Sequence, residues 1–142
     1  MRGLIVVGAS VAIVASLSGC SLGGEVDVSA LKVGDCFNYS GTEESSSLTS
    51  VTTVNCNGPH DYEVYFVPLA DQPEDSSVCM DEFENFVGMD YVDSFNAYAY
   101  GYWNLFSTSA NSGETLTTCA IFATDDDGTL EQVEGSLKGA ES

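Results

Sequence analysis

Residues fitted for chemistry are few in this chain. The single histidine, His60, lies in Cys56-Asn57-Gly58-Pro59-His60-Asp61-Tyr62-Glu63. An imidazole with a carboxylate three residues on is a candidate general base or half of a metal site. A metal site needs three or four ligands. With no second histidine and no Cys-x-x-Cys, a tetrahedral zinc site is poorly supplied. Serines are abundant, yet no Gly-x-Ser-x-Gly elbow presents one as a nucleophile. The plainer reading makes Pro59, His60 and Glu63 a structural motif in which the imidazole fixes a turn between two strands by hydrogen bonds. The competing reading, a hydrolase or metal-dependent enzyme built on His60, requires an open cleft with a nucleophile or acid within reach of the ring.

Two other segments invite a functional reading. With Gly128 as position six of an EF-hand loop, Asp125, Asp127 and Glu134 take positions three, five and twelve. Position one is then Ala123, which has no ligand, and the preceding residues read as a strand. A tight hairpin turn over residues 125–128 explains the segment better. Residues 91–106 hold Tyr91, Phe95, Tyr98, Tyr100, Tyr102, Trp103 and Phe106. Exposed rings would stack on the sugars of a cell wall or anchor a protein partner; inward rings would be core packing. Tyr98, Tyr100, Tyr102 and Trp103 are the candidate binding aromatics. No catalytic residue, metal or cofactor is assigned.

The cysteines set the compartment. Residues 1–19 combine Arg2, an apolar run from Leu4 to Leu17 and the small pair Ser18-Gly19 before Cys20. This is the arrangement of a secretion signal, and the run is shorter than the ~20 residues a spanning helix needs. Leu17-Ser18-Gly19-Cys20 resembles a bacterial lipobox, which implies cleavage after Gly19 and a diacylglycerol thioether on Cys20. Two acyl chains hold a membrane where one is marginal. Residues 20–30, with Gly23-Gly24, then read as a lipidated cysteine and flexible tether. Removing Cys20 leaves Cys36, Cys56, Cys79 and Cys119, an even number that suggests two disulfides in an exported domain. Three connectivities are open. Cys36–Cys56 with Cys79–Cys119 is favoured, because the first two lie near each other across an expected strand pair.

The elements that would position these groups follow from pattern. Residues 31–37 enter the domain through a turn at Gly34-Asp35 into a short strand. Residues 41–50 form a Ser/Thr/Glu-rich loop, residues 51–56 alternate as a half-buried strand, and residues 57–59 turn. Residues 62–69 are a second strand, followed by a loop with Pro73. Cys79, Phe83, Phe86 and Val87 then recur at helical spacing. Asp75 or Ser76 would cap that helix, Asp81 and Glu82 suit its first turns, and Gly88 would end it. Its inward Cys79 could staple helix to sheet. Residues 91–106 resist assignment. Residues 115–124 form a strand containing Cys119, and residues 129–137 return as its hairpin partner. The fold class expected is α+β: a small disulfide-bonded domain of mainly antiparallel strands with one principal helix.

Charge excludes some partners. Once Arg2 leaves with the leader, Lys32 and Lys138 face 22 acidic residues. Such a surface repels nucleic acid and anionic headgroups. The aromatics are too many for a disordered chain.

A family pattern runs through the same residues. It comprises Lys32-Val33-Gly34-Asp35-Cys36-Phe37, Val54-x-Cys56-x-x-Pro59-His60-x-x-Glu63-Val64, Cys79, Val87-Gly88-x-Asp90-Tyr91-x-x-Ser94, Gly113-Glu114, Cys119 and Gly135-Ser136-Leu137-Lys138-Gly139. Together these resemble the actinobacterial septum formation domain over residues 31–140. The chain departs from that pattern before Gly113, where Ser107-Thr108 and Ala110 stand in place of a Pro-Thr and a Trp, and Trp103 is out of register. The resemblance implies a disulfide-bonded α+β domain linked to cell division, with no established catalytic residues. The expectation is therefore a lipid-anchored, extracytoplasmic, non-enzymatic binding or scaffold module. Its partners would be the membrane through its lipid and an envelope protein or cell-wall component, not nucleic acid. A cell-wall sugar-binding lipoprotein using residues 91–106 is the alternative.

Overall fold

Alternating β-branched and aromatic residues build seven strands among the described residues, and all their pairings are antiparallel. The computed structural model describes residues 23–39, 48–69, 77–97, 99–109 and 113–141. The expected leader, Cys20, Tyr98, the helix cap at Asp75 or Ser76, Pro73 and most of the 41–50 loop lie outside them. The strands are β1 (Glu25–Asp27), β2 (Cys36–Asn38), β3 (Ser50–Val54), β4 (Tyr62–Phe66), β5 (Tyr100–Ser109), β6 (Gly113–Thr124) and β7 (Leu130–Glu131). Their order across the curled sheet is β1-β3-β2-β4-β6-β5, with β7 added to the end of β6. The helices are α1 (Ser77–Val87) and α2 (Tyr91–Asn96). The class is α+β, with one principal helix, as expected. Among the described residues no helix is long and apolar enough to cross a membrane.

The sheet buries both faces. One is filled by Val28, Leu31, Phe37, Val51, Tyr62, Val64, Leu105 and Ala120. The other is covered by α1, whose Cys79, Phe83 and Val87 are fully buried beside Tyr65, Cys119 and Ile121. Spacing of four residues places those three side chains on one stripe. Gly88 at φ 92° ends the helix, where a left-handed residue is needed. Both disulfides are formed with the favoured pairing, Cys36–Cys56 and Cys79–Cys119. The first ties β2 to the turn after β3; the second ties α1 to β6.

Three expectations change. Residues 20–30 are not all tether, because 25–27 pair with β3 and 28–30 form a 3-10 turn capped by Asp27. Val28 is 0% exposed in the core. Gly23 is there for close approach rather than freedom: a Cβ at Gly23 would stand 2.3 Å from the Thr53 carbonyl oxygen. The 129–137 hairpin partner is a strand of only two residues, after which Val133 leaves β6 and bridges to His60. The second strand stops at Phe66, short of Leu69. Residues 91–106 divide into α2 and β5. Asp90 caps α2 by accepting from the Val92 amide at 2.8 Å, and buried Ser94 locks it to β5 through both backbone groups of Tyr100.

The two bridges close loops of different length, with separations of 20 and 40 residues. Chain entropy assigns them about 3 and about 4 kcal/mol. Thermal unfolding should therefore show a larger loss for the Cys79→Ala/Cys119→Ala protein than for the Cys36→Ala/Cys56→Ala protein. The buried position of Cys79 and Cys119 adds to the difference, since truncation there leaves a gap under α1.

Candidate functional site

Pro59 ends the turn that carries the chain from β3 to β4, and His60 follows it into the interior. His60 is 0% exposed. Its backbone pairs with Val133 in both directions at 3.0 Å, and its Nδ1 lies 3.0 Å from the Gly58 carbonyl oxygen. Through Nδ1 the ring reaches back across the turn to Gly58. Its Nε2 is buried and has no hydrogen-bond partner among the described residues. An unsatisfied buried acceptor costs ~1–3 kcal/mol. The ring itself exposes no surface to solvent.

Glu63 is the second component. It is 3% exposed on β4, opposite Cys36 of β2. Both carboxylate oxygens accept from the C-terminal segment: Oε1 from the Ser136 hydroxyl and Oε2 from the Leu137 amide, each at 2.7 Å. The same segment donates from the Gly135 amide to the Cys56 carbonyl oxygen at 2.6 Å and from the Gly139 amide to that of Phe86 at 2.7 Å. Thus Cys36, Cys56, Pro59, His60, Glu63 and residues 135–139 converge on one place. Their convergence is not visible from spacing, because the tail binds through three backbone amides and a single serine hydroxyl. A cleft of about 410 Å³ opens beside Glu63 and is lined also by Tyr65, Glu82, Phe86 and Lys138. Tyr65 donates to the Cys79 carbonyl oxygen at 2.5 Å, and burial pushes its phenol far above the usual tyrosine range.

The aromatic segment forms a different kind of site. β5 is a sheet edge, and Phe122 of β6 lies opposite Gly101. A Cβ at Gly101 would stand 2.3 Å from the Phe122 ring, so glycine is what lets the ring lie over the edge strand. Two clefts meet there and share Tyr102 and Phe122. One, of about 330 Å³, is lined by Tyr91, Phe95, Tyr100 and Asp127 among others; the second, of about 280 Å³, by Tyr62 and Trp103 as well. The rings are neither wholly core nor wholly surface. Trp103 packs on Tyr39 and Tyr62, and Tyr102 on Tyr91 and Phe83, while outer edges face the clefts. Phe95 is 62% exposed. Burial raises the phenols of Tyr100 and Tyr102, for Tyr100 aided by nearby Glu141. Of the candidate aromatics, Tyr100, Tyr102 and Trp103 line these clefts; Phe122 and Phe95 were not among those candidates. Phe122 carried no signal beyond its place in an apolar strand.

The acidic turn is a hairpin. Asp125 Oδ1 accepts from the amides of Asp127 and Thr129 at 3.0 and 2.8 Å, and Gly128 sits at φ 76°. The Asp125 carboxylate thus closes the turn on itself.

Comparison with known proteins finds no family model that matches the chain, and no match among curated proteins or solved structures.

Replacing Glu63 by Ala should strip two charge-assisted hydrogen bonds from the tail, at a cost of ~2–3 kcal/mol. Glu63→Gln retains a carbonyl acceptor and should lose less. Hydrogen exchange locates the effect: the Leu137 and Gly139 amides should lose protection in Glu63→Ala before the amides of β6 do.

Proposed function

We propose that this chain is a lipid-anchored, extracytoplasmic, non-enzymatic binding module, presenting the aromatic clefts around the start of β5 to an envelope component. The observation that carries this reading is the pair of clefts sharing Tyr102 and Phe122 at a sheet edge. Aromatic rings with one packed edge and one open edge are held rigid before a ligand arrives, so little conformational freedom is lost on binding. The lipobox-like Leu17-Ser18-Gly19-Cys20 supports the address, and the two disulfides suit an oxidising compartment. The resemblance to the septum formation domain supports a role near the division site. The enclosure of His60 argues against the enzymatic alternative.

A glycan ligand is the second reading, favoured by the polar rim. Asp127, Thr124 and the tyrosine hydroxyls border the rings in the larger cleft. Sugars are recognised by this combination of a stacking floor and rim hydrogen bonds. The acidic surface restricts either ligand to a neutral or basic one.

Two measurements test the proposal. Intact-mass analysis of the membrane-purified protein should show a chain beginning at Cys20 with a lipid adduct, and Cys20→Ala should be released or left unprocessed; an unmodified mature Cys20 refutes the anchor. Phe95→Ala removes an exposed ring from the larger cleft at little cost to folding. Capture of an envelope protein or of purified cell-wall glycan by the full-length protein should weaken by ~10-fold or more, with the melting temperature nearly unchanged. Capture that is indifferent to Phe95→Ala and Trp103→Ala removes the clefts as the binding surface.

A further inference from the structure

Three buried groups bearing lone pairs face one another where β2, β4 and the preceding turn meet. A ring nitrogen of His60, Cys36 Sγ and a carboxylate oxygen of Glu63 all lie within 4.8 Å of one another. His60 is fully enclosed, and Cys36 and Glu63 are buried. His60 Nδ1 is 3.0 Å from the Gly58 carbonyl oxygen. A carbonyl only accepts, so in the neutral ring Nδ1 carries the hydrogen and Nε2 is a bare acceptor. That nitrogen has no hydrogen-bond partner among the described residues. An acceptor set beside a sulfur and a carboxylate is satisfied by a cation. A backbone carbonyl holding the outer N–H is also the way a metal-bound imidazole is oriented.

In the bridged protein the sulfur is committed, because Cys36 Sγ is bonded to Cys56 Sγ. Cys56 is the partly exposed half of that bridge and Cys36 the buried half. We propose that opening the Cys36–Cys56 bridge converts this cluster into a binding site for a divalent cation of the zinc type, with Cys36, Cys56, His60 and Glu63 as ligands. A dithiol supplies the electrons. One of its thiolates attacks Cys56 Sγ, the S–S bond breaks, and the electron pair leaves on Cys36 Sγ. The second thiolate then displaces Cys56 Sγ, so the reductant ends as a disulfide and both cysteines as thiols. On binding, the cation replaces the two thiol protons, which pass to solvent.

Electrostatics favours the exchange. Opening the bridge sets a buried sulfur beside a buried carboxylate, and two like charges there repel unless a proton or a cation intervenes. A cation answers all three acceptors at once. Zinc sits at about 2.0–2.3 Å from such donors, which places them roughly 3.6 Å apart around a tetrahedron. The cluster therefore contracts by about 1 Å to form the site. The same four side chains hold the turn either by a covalent bridge or by a metal ion.

The experiment uses the full-length protein, reduced by a dithiol under native conditions and freed of it, with alkylation counting the new thiols. Cys79 and Cys119 are fully enclosed, so two new thiols are expected. Cobalt(II) alone is then added. The reduced protein should bind one equivalent, with the charge-transfer absorption of cobalt–thiolate bonds, and release it to zinc. The bridged protein should show none. His60→Ala and Glu63→Gln should each weaken cobalt binding at least 10-fold. Because His60 is the only histidine, its ring nitrogens report ligation in the unaltered chain even where a variant fails to fold: zinc should shift Nε2 and leave Nδ1 protonated. A folded protein whose bridge resists the dithiol, a reduced protein without cobalt–thiolate absorption, or an Nε2 signal that zinc does not move would each overturn the proposal.

Discussion

A carboxylate buried on a central strand governs how this domain closes. Glu63 cannot remain in the interior without donors for both oxygens, and the donors it has come from residues more than seventy positions later. Desolvating a charge is so costly that its partners become compulsory. The tail is therefore held over the helix-covered face by polar contacts rather than by the two-residue strand before it. Leu137 is carried into the core beside Val87 and Cys119. The amides of Gly139 and Glu141 then reach the last carbonyls of α1, those of Phe86 and Val87, satisfying groups that a helix end leaves open.

The two disulfides work on either side of that carboxylate. Cys79–Cys119 presses α1 on the sheet, so the face that Leu137 joins is already shaped. Cys36–Cys56 holds the turn that delivers His60 and Glu63. The pairing of Cys36 with Glu63 across β2 and β4 puts a bridge cysteine and the carboxylate at matching register. The cost of this arrangement is visible in one atom, the unpartnered His60 nitrogen. Buried polar groups in native domains are nearly always paired, so an exception on a residue clustered with a bridge cysteine and a carboxylate is informative.

How much of this was legible depended on whether a local rule dominated. The α1 stripe was readable because Cys79, Phe83 and Val87 recur at four-residue spacing. The acidic turn was readable because Asp and Gly supply its chemistry locally. The disulfide pairing followed from placing Cys36 and Cys56 on neighbouring strands. The 91–106 segment was opaque because Tyr100, Tyr102 and Trp103 are aromatic on both faces of β5, which hides the two-residue period. Its informative signal was Asp90, a helix cap ahead of only six helical residues. β1 was hidden by Gly23-Gly24, which reads as freedom when the actual constraint is contact with Thr53. The grip of Glu63 on the tail was invisible for a deeper reason: one donor is a backbone amide, common to every residue, and the other is Ser136, one serine among many and 73 positions away.

The extreme acidity and the aromatic edge bear on one another. Of the two sheet edges, β1 is three residues long and carries Glu25 and Asp27, features that discourage pairing with another chain. Among the described residues the first half of β5 carries no acidic side chain and pairs with no strand beyond it, and its rings open into clefts. An unguarded aromatic edge on a neutral protein invites self-association. With 22 acidic residues against three basic ones, two copies of this chain repel as they approach, while a neutral or basic ligand does not. Salt screens that repulsion within about 10 Å at 0.1 M, but contact between two acidic surfaces occurs inside that distance. Charge spread over the whole surface thus protects the edge that local sequence leaves open, and it leaves the rings available to a partner of different charge.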